Sequence, residues 1–172
     1  MRSEWHNLPV INGVPQHNGR EYHSSDVSAF KKKSSAGFSL DIAGAYEKTS
    51  ACRSWVRSYD INGSVLTITD AYTLEKRNAS DVGNFLVQGE VFLPGDTTPA
   101  GYTVKKGETV VCNGKVSMKI IYPSVMTPSV TVMELDDPRL TNVWGGSLRR
   151  ISYTSPSDAP VKGKYVYKIS QM

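Results

Sequence analysis

The sequence predicts an all-β fold, an antiparallel β-sandwich of two packed sheets with little helix. Many short runs of apolar, aromatic or β-branched residues alternate with turn residues such as Asn12-Gly13 and Asn113-Gly114, a pattern typical of sandwiches and open barrels. No stretch keeps a helical period over three turns, and the nearest one, residues 41–48, is interrupted by Gly44. We therefore expect helix in less than about a tenth of the residues.

The clearest local signal is a hairpin around Asn62-Gly63. Residues 52–61 and 64–70 flank this pair, and both runs are rich in β-branched or aromatic residues. Asn-Gly between two such runs favours a two-residue turn, because both turn positions need a positive φ. We expect residues 52–61 to pair with residues 64–70 through a turn at Asn62-Gly63.

The other strands are predicted from runs bounded by Gly, Pro, Asn and Asp. They are residues 8–11, 27–30, 38–42, 85–92, 109–112, 116–121, 129–133, 148–153 and 165–169. Asp136-Asp137 precedes Pro138 and predicts a turn, and residues 154–160 predict a surface loop. With no internal repeat and no long linker, residues 1–172 are expected to form a single β-sandwich domain.

Composition excludes several classes of protein. Hydrophobic residues make up 39% and charged residues 21% of the 172 residues, so neither a disordered chain nor a membrane-spanning one is expected. Lys and Arg number 20 against 16 Asp and Glu, an excess that suits an acidic ligand without requiring one. Met1-Arg2 is followed by no apolar stretch, so no secretory signal is predicted in this chain. Cys52 and Cys112 either pair or are separately buried, and they form no zinc-finger spacing.

The most specific signal lies at the start of the chain. Trp5-His6-Asn7 is followed by a short apolar run, then by Asn12-Gly13 and Gln16. This order resembles the heparinase II/III-like polysaccharide lyases, in which a His-Asn pair leads a strand that ends in a VNG or VDG turn followed by Gln. Residues 38–46, FSLDIAGAY, are similar to the family's SLDLTGAYP strand, and residues 55–70 to its W-R…V-T-V-x-D hairpin. The likeness covers about residues 5–75.

The resemblance implies a role in the cleavage of acidic, uronate-containing polysaccharides such as glycosaminoglycans by β-elimination. That reaction needs a base for the C5 proton, an acid for the leaving oxygen and a cation that neutralises the carboxylate. In the family most of these groups lie on a preceding helical toroid and around a His-x-His motif, and this sequence contains neither. We therefore expect the C-terminal domain of a larger lyase, structural and cleft-lining, with no catalytic residue of its own.

The implied partners are an acidic polysaccharide and the N-terminal helical toroid domain of the parent chain. No nucleic acid and no membrane is expected as a partner, and the parent is expected to be periplasmic or secreted.

The resemblance also implies one zinc ligand, at His6, whose companion ligands would come from upstream sequence. Zinc takes four ligands in tetrahedral geometry, so a lone histidine cannot hold it. No cofactor is therefore expected in the isolated chain, although zinc is possible in the full-length parent. His17, His23 and Asp26 could complete a set with His6, but their spacing matches no metal motif. The alternative is that these imidazoles are exposed or hydrogen-bonded.

Arg53, Trp55 and Arg57 are the candidate substrate-binding residues. Alternate strand residues share a face, so the aromatic ring could stack on a sugar while the two guanidinium groups clamp its carboxylate. The alternative is a packed Trp beneath two arginines. Lys31-Lys32-Lys33 carries a similar pair of interpretations, a polyanion site or a solvated loop, and so does Arg149-Arg150 with Trp144.

Two other functions remain open from the sequence. A free-standing carbohydrate-binding module for acidic glycans would need an exposed row of aromatic residues. A complete small lyase would need Tyr22, His23 or another His/Tyr pair in contact across a cleft. Tyr22 and His23 are adjacent, so within a strand they would point to opposite faces, which disfavours that particular pair.

Overall fold

The computed structural model describes residues 3–172, of which 52% are in strands and 9% in helices. These fractions confirm the prediction of an all-β protein with little helix. The strands are β1 (Pro9–Val10), β2 (Ser25–Lys31), β3 (Ser35–Asp41), β4 (Cys52–Asn62), β5 (Val65–Leu74), β6 (Val82–Val87), β7 (Glu90–Phe92), β8 (Glu108–Asn113), β9 (Val116–Ile121), β10 (Thr127–Glu134), β11 (Ser147–Thr154) and β12 (Lys162–Gln171). One α-helix, α1 (Pro138–Trp144), and short 3₁₀ turns at Ser3–Trp5, Ala43–Ala45 and Lys48–Ser50 complete the described elements.

The strands form two antiparallel sheets of unequal size, which do not close into a barrel. The smaller sheet has the order β1-β6-β11-β10, and the larger has the order β2-β3-β4-β5-β12-β9-β8-β7. The last strand, β12, is therefore central in the larger sheet, between β5 and β9. No helix among residues 3–172 is long and apolar enough to cross a bilayer.

The predicted hairpin is present, but its turn lies one residue further along the chain. Asn62 pairs with Val65, so the turn residues are Gly63 and Ser64 rather than Asn62 and Gly63. Of these two only Gly63 has a positive φ, of 57°. That is the arrangement of a type II′ turn, which takes glycine at its first central position. The prediction of the turn position was therefore wrong by one residue.

Two further predictions need correction. The single strand expected at residues 85–92 is two strands in different sheets, β6 and β7, separated at Gln88-Gly89. The turn expected at Asp136-Asp137 leads into helix α1, because Asp137 is its N-cap and accepts a hydrogen bond from Arg139 N at 2.9 Å. Pro138 takes the first helical position, where a missing N–H costs nothing.

The core between the sheets is rich in aromatic residues. The ring centroids of Trp55 and Tyr72 are 5.1 Å apart and those of Tyr72 and Tyr165 are 4.9 Å apart. The buried phenol groups have partners: Tyr46 OH donates to Pro9 O at 2.6 Å, and Tyr165 OH donates to Asp81 Oδ2 at 2.9 Å. Buried tyrosines need such partners, so the core is specified by hydrogen bonds as well as by packing.

Asn12 connects the opening turn to two distant segments, one at Ser50 and one between β5 and β6. Its backbone N–H donates to Asp81 Oδ1 at 2.8 Å, its Nδ2 donates to Ser50 O at 2.8 Å, and its Oδ1 accepts from Asn78 N at 2.7 Å. Asn12 has a φ of 53°, which asparagine tolerates better than most residues. The predicted turn at Asn12-Gly13 is confirmed, and its side chain fixes the position of the N-terminal segment.

Candidate functional site

Arg53, Trp55 and Arg57 do not form one exposed face. Trp55 is 1% exposed and Arg57 is 3% exposed, and both point into the space between the sheets. Arg53 lies at an irregularity in the β4–β5 pairing, between Cys52 and Ser54, and its side chain reaches solvent. There it approaches Glu75, with 3.4 Å between Arg53 Nε and the nearer carboxylate oxygen. The structure therefore corrects the idea of a sugar-binding row and favours the alternative of a packed tryptophan.

Arg57 is held by a two-point ion pair inside the sandwich. Its Nε donates to Asp70 Oδ1 at 2.7 Å, and its Nη2 donates to Asp70 Oδ2 at 2.6 Å. Nη1 donates to the carbonyl oxygen of Asn7 at 2.8 Å. Burial alone would lower the pKa of Arg57, but the Asp70 carboxylate outweighs that effect and raises the pKa above its ordinary value. Arg57 thus connects the His-Asn segment to the hairpin, a structural role.

His6 is exposed and has no described companion for a metal. Among residues 3–172, no three His, Cys, Asp or Glu side chains lie close enough to hold a metal ion. The set of His6, His17, His23 and Asp26 is therefore not brought together. The described residues do not by themselves fit a zinc site, since a structural zinc takes four protein ligands.

His17 and Tyr22 are in contact within the loop between β1 and β2. Their ring centroids are 4.4 Å apart. His17 Nε2 lies 3.2 Å from Glu47 Oε1, and its backbone N–H donates to Ala45 O at 3.1 Å. The loop packs closely on the turn at residues 43–45. The closeness is seen at Gly44, where a Cβ would lie 2.7 Å from the His23 carbonyl oxygen. The sequence prediction considered Tyr22 with His23, whereas the structure pairs Tyr22 with His17.

A shallow hollow lined by Tyr22 also contains two cations, Lys48 and Arg53, and two carboxylates, Glu21 and Glu47. A tyrosine, a histidine oriented by a carboxylate, and neighbouring cations are groups that proton abstraction next to a carboxylate can use. The side chains of His17 and Glu47 are 44% and 41% exposed, so this cluster is open to solvent.

A cavity of about 420 Å³ opens between the two sheets beside Arg57. Its lining is mainly apolar, with Asn7 and Gln88 as polar members. Asn7 Oδ1 accepts from Leu86 N at 2.7 Å, so the His-Asn segment closes one side of the cavity. All three guanidinium nitrogens of Arg57 already donate to Asp70 or Asn7. The cavity therefore offers mainly apolar surface to a ligand.

The other charged candidates are placed as follows. Lys31-Lys32-Lys33 is exposed where β2 ends, and Lys32 Nζ lies 5.6 Å from the ring centroid of Phe30. Arg150 stacks on Trp5, at 4.6 Å from the ring centroid. The sequence analysis considered Trp144, rather than Trp5, as the aromatic residue beside Arg149-Arg150. Cys52 and Cys112 are free, half-buried thiols rather than a pair.

The arrangement defines an all-β sandwich domain with a buried ion pair and an open His-Tyr contact. No family model matches the chain, and no curated protein matches it. Among solved structures it is similar to heparan sulfate lyase HepC from Pedobacter heparinus, with a TM-score of 0.66 and 9% identity. The match covers 99% of this chain and 24% of that chain.

A mutant of the same enzyme matches with a TM-score of 0.66 and 8% identity, over 99% of this chain and 24% of that chain. At such identity the likeness concerns the fold. It confirms, at the level of fold, the resemblance to heparinase II/III-like lyases that the motifs predicted.

Proposed function

We propose that this chain is the C-terminal β-sandwich of a heparinase II/III-like lyase that cleaves acidic, uronate-containing polysaccharides by β-elimination. In this proposal the domain supports the catalytic part and lines one side of the substrate cleft, and it is not catalytic alone. The observation that carries the proposal is the fold likeness to a heparan sulfate lyase over 99% of this chain but 24% of that chain. The ordered motifs of residues 5–75 support the same conclusion independently.

The buried position of Arg57 also supports a structural role. β-Elimination requires a base, an acid and a carboxylate-neutralising cation in one cleft. Trp55 and Arg57 belong to the hairpin motif. Both side chains are buried between the sheets, where they stabilise the sandwich. His6, which precedes β1, is exposed. There it could supply one zinc ligand to a site completed by another part of the parent.

The test is an absorbance assay of the chain with heparin, heparan sulfate, chondroitin and alginate. The unsaturated uronate that β-elimination forms absorbs in the ultraviolet, so product is followed directly. We expect no rise for the isolated chain, with a known lyase as the positive control. In the gene, the sequence upstream of Met1 should encode a helical toroid and a His-x-His motif. If that upstream sequence encoded an unrelated domain, the proposal would be wrong.

The contact between His17 and Tyr22 favours a second candidate, a small lyase active on its own. In that case the hollow with Lys48 and Arg53 would bind the uronate carboxylate, and the His-Tyr pair would transfer the protons. The discriminating variants are His17→Gln and Tyr22→Phe, with His23→Gln as the matched control in the same loop. A sustained absorbance rise that both variants remove and the control retains would establish this function in place of the first.

A further inference from the structure

The outer face of the larger sheet carries a row of lysines along its central strand. Side chains alternate along β12: Tyr165 and Tyr167 point inward and are buried, whereas Lys162, Lys164 and Lys168 point outward and are exposed. At about 3.3 Å per residue, Lys162 and Lys164 are roughly 7 Å apart along the strand, and Lys168 is roughly 13 Å beyond Lys164. The three ammonium groups therefore follow one line across the sheet.

Neither protection of a sheet edge nor ion pairing explains these lysines. Lysine in a strand commonly protects an exposed edge from pairing with another chain, but β12 is central, between β5 and β9. Lysine is also depleted in strands generally. Among the described side chains, the ion pair of a lysine is that of Lys119 with Glu108, so no described carboxylate neutralises the β12 lysines.

The surface around the row is rich in hydroxyl groups. Lys162 is opposite Thr73, and Thr73 is opposite Ser54 on the next strand. Lys168 is opposite Thr67 in the same way. Short Ser and Thr side chains leave room for an extended polymer and can both donate and accept hydrogen bonds.

Two hollows lie on either side of Lys162 and Lys164, and both include the backbone of Gly163. One, of about 440 Å³, extends over β5 and β4. The other, of about 430 Å³, lies on the opposite side of β12. It exists because β9 pairs with β12 only from Lys168 onward, which leaves the first half of β12 without that neighbour. Asp158 is the carboxylate in the second hollow.

We infer that this face, the β12 lysine surface formed by Lys162, Lys164 and Lys168, binds an acidic polysaccharide. The carboxylate or sulfate groups of the polymer contact the lysine ammonium groups, and its hydroxyl groups contact the neighbouring Ser and Thr side chains. Charge complementarity over a line about 20 Å long favours a polymer over a single small anion. The ligand class rests on the proposed function, whereas the position of the surface does not.

The test measures the affinity of the chain for heparin by titration calorimetry at several salt concentrations. Lys162→Gln with Lys164→Gln should weaken binding roughly 2- to 30-fold, because each exposed charge contact contributes modestly. The salt dependence of the affinity should also become shallower, since fewer charge contacts are made. The matched control is Lys105→Gln with Lys106→Gln, two exposed lysines between β7 and β8, which removes the same charge elsewhere and should leave the affinity unchanged. Asp158→Asn should tighten binding.

Three outcomes would overturn the inference in different ways. An equal loss in both double variants would show that affinity follows net charge rather than this surface. Equal affinity for duplex DNA of matched charge would show that the surface does not select a glycan. If the chain did not bind heparin at all, the inferred binding surface would be wrong. The proposed function would still be decided separately, by the absorbance assay and the upstream sequence. Circular dichroism of each variant checks that the fold is intact.

Discussion

Arg57 on β4 and Asp70 on β5 are directly opposite each other and form a two-point ion pair that is almost completely removed from solvent. The side chains are 3% and 1% exposed. A buried pair of this kind is expensive to break, because removal of one partner leaves the other charge without compensation. The pair is therefore a constraint on the position of the hairpin as much as a source of stability.

Arg57→Met should destabilise the chain by about 3–5 kcal/mol, since the Asp70 carboxylate would remain buried and unpaired. The double variant Arg57→Met with Asp70→Leu should recover most of that loss. Urea unfolding measures both, with Arg53→Met as the control, because the Arg53 side chain is 67% exposed and its exposed ion pair contributes little. A double variant no more stable than Arg57→Met would contradict the view that the unpaired charge is the main cost.

Gly63→Val should destabilise by on the order of 1 kcal/mol or more, because a β-branched residue resists a positive φ. The cost is conformational, since nothing lies within 4 Å of the position that a Cβ would take. Gly146→Val is the matched control, as its Cβ would also enter open space and its φ is not positive. Equal melting temperatures for the two variants would argue against the type II′ turn.

Alkaline pH should unfold the protein through its buried tyrosines. Burial raises the pKa of Tyr46, Tyr153 and Tyr167 above the ordinary value of 10. These phenols can ionise in the unfolded chain at a pH where the folded chain keeps them neutral. Stability is therefore complete below the ordinary pKa and is lost as the pH rises above it. Phenolate absorbance of these groups should appear together with the loss of circular dichroism, and an earlier appearance would contradict the prediction.

The thiol of Cys52 should react slowly in the folded protein. Burial raises its pKa from 9.0 to about 12, so little thiolate exists near neutral pH. Labelling with a thiol reagent in a Cys112→Ser variant isolates this group. We expect a rate far below that of the same variant in denaturant, and similar rates in the two conditions would count against the burial of the thiol.

The fold was predictable because strand period and turn chemistry are local. Strand 116–121 was predicted with the bounds that β9 has, and the Asn12-Gly13 turn was predicted from two residues. The site was less predictable, because alternation groups Trp55 with Arg57 but does not tell which face of β4 is buried. The partner of Arg57 is on the next strand, and the irregularity that separates Arg53 from this face has no local signature.

The β12 lysine surface has a signal in the sequence. Lys162 and Lys164 alternate with Gly163 and Tyr165, which is the period of a half-buried strand, but the strand was predicted to begin only at Tyr165.

Helix α1 was missed because its start has two interpretations. An Asp-Pro pair reads equally well as a turn or as an N-cap followed by the first helical position.

The chain should self-associate at high concentration through the part of the larger sheet that the smaller sheet leaves uncovered. Phe38 is 44% exposed and Ile61 is 48% exposed, and both lie on the face that continues into the core. Phe38→Ser with Ile61→Ser should reduce association in light scattering, while Val143→Ser on α1, also exposed, should not. A strictly monomeric chain would instead favour the free-standing carbohydrate-binding module.

The central position of β12 has a consequence for synthesis on the ribosome. Strand β12 follows β5 and β9 in the chain and is translated after both, yet it pairs with each of them. Until these residues leave the exit tunnel, the larger sheet exists as two separate parts, each with an open hydrogen-bonding edge. Contacts between strands so distant in sequence form slowly, and open edges invite pairing with other chains. We therefore expect the nascent chain to depend most on chaperones in the interval after β9 and before β12 is released.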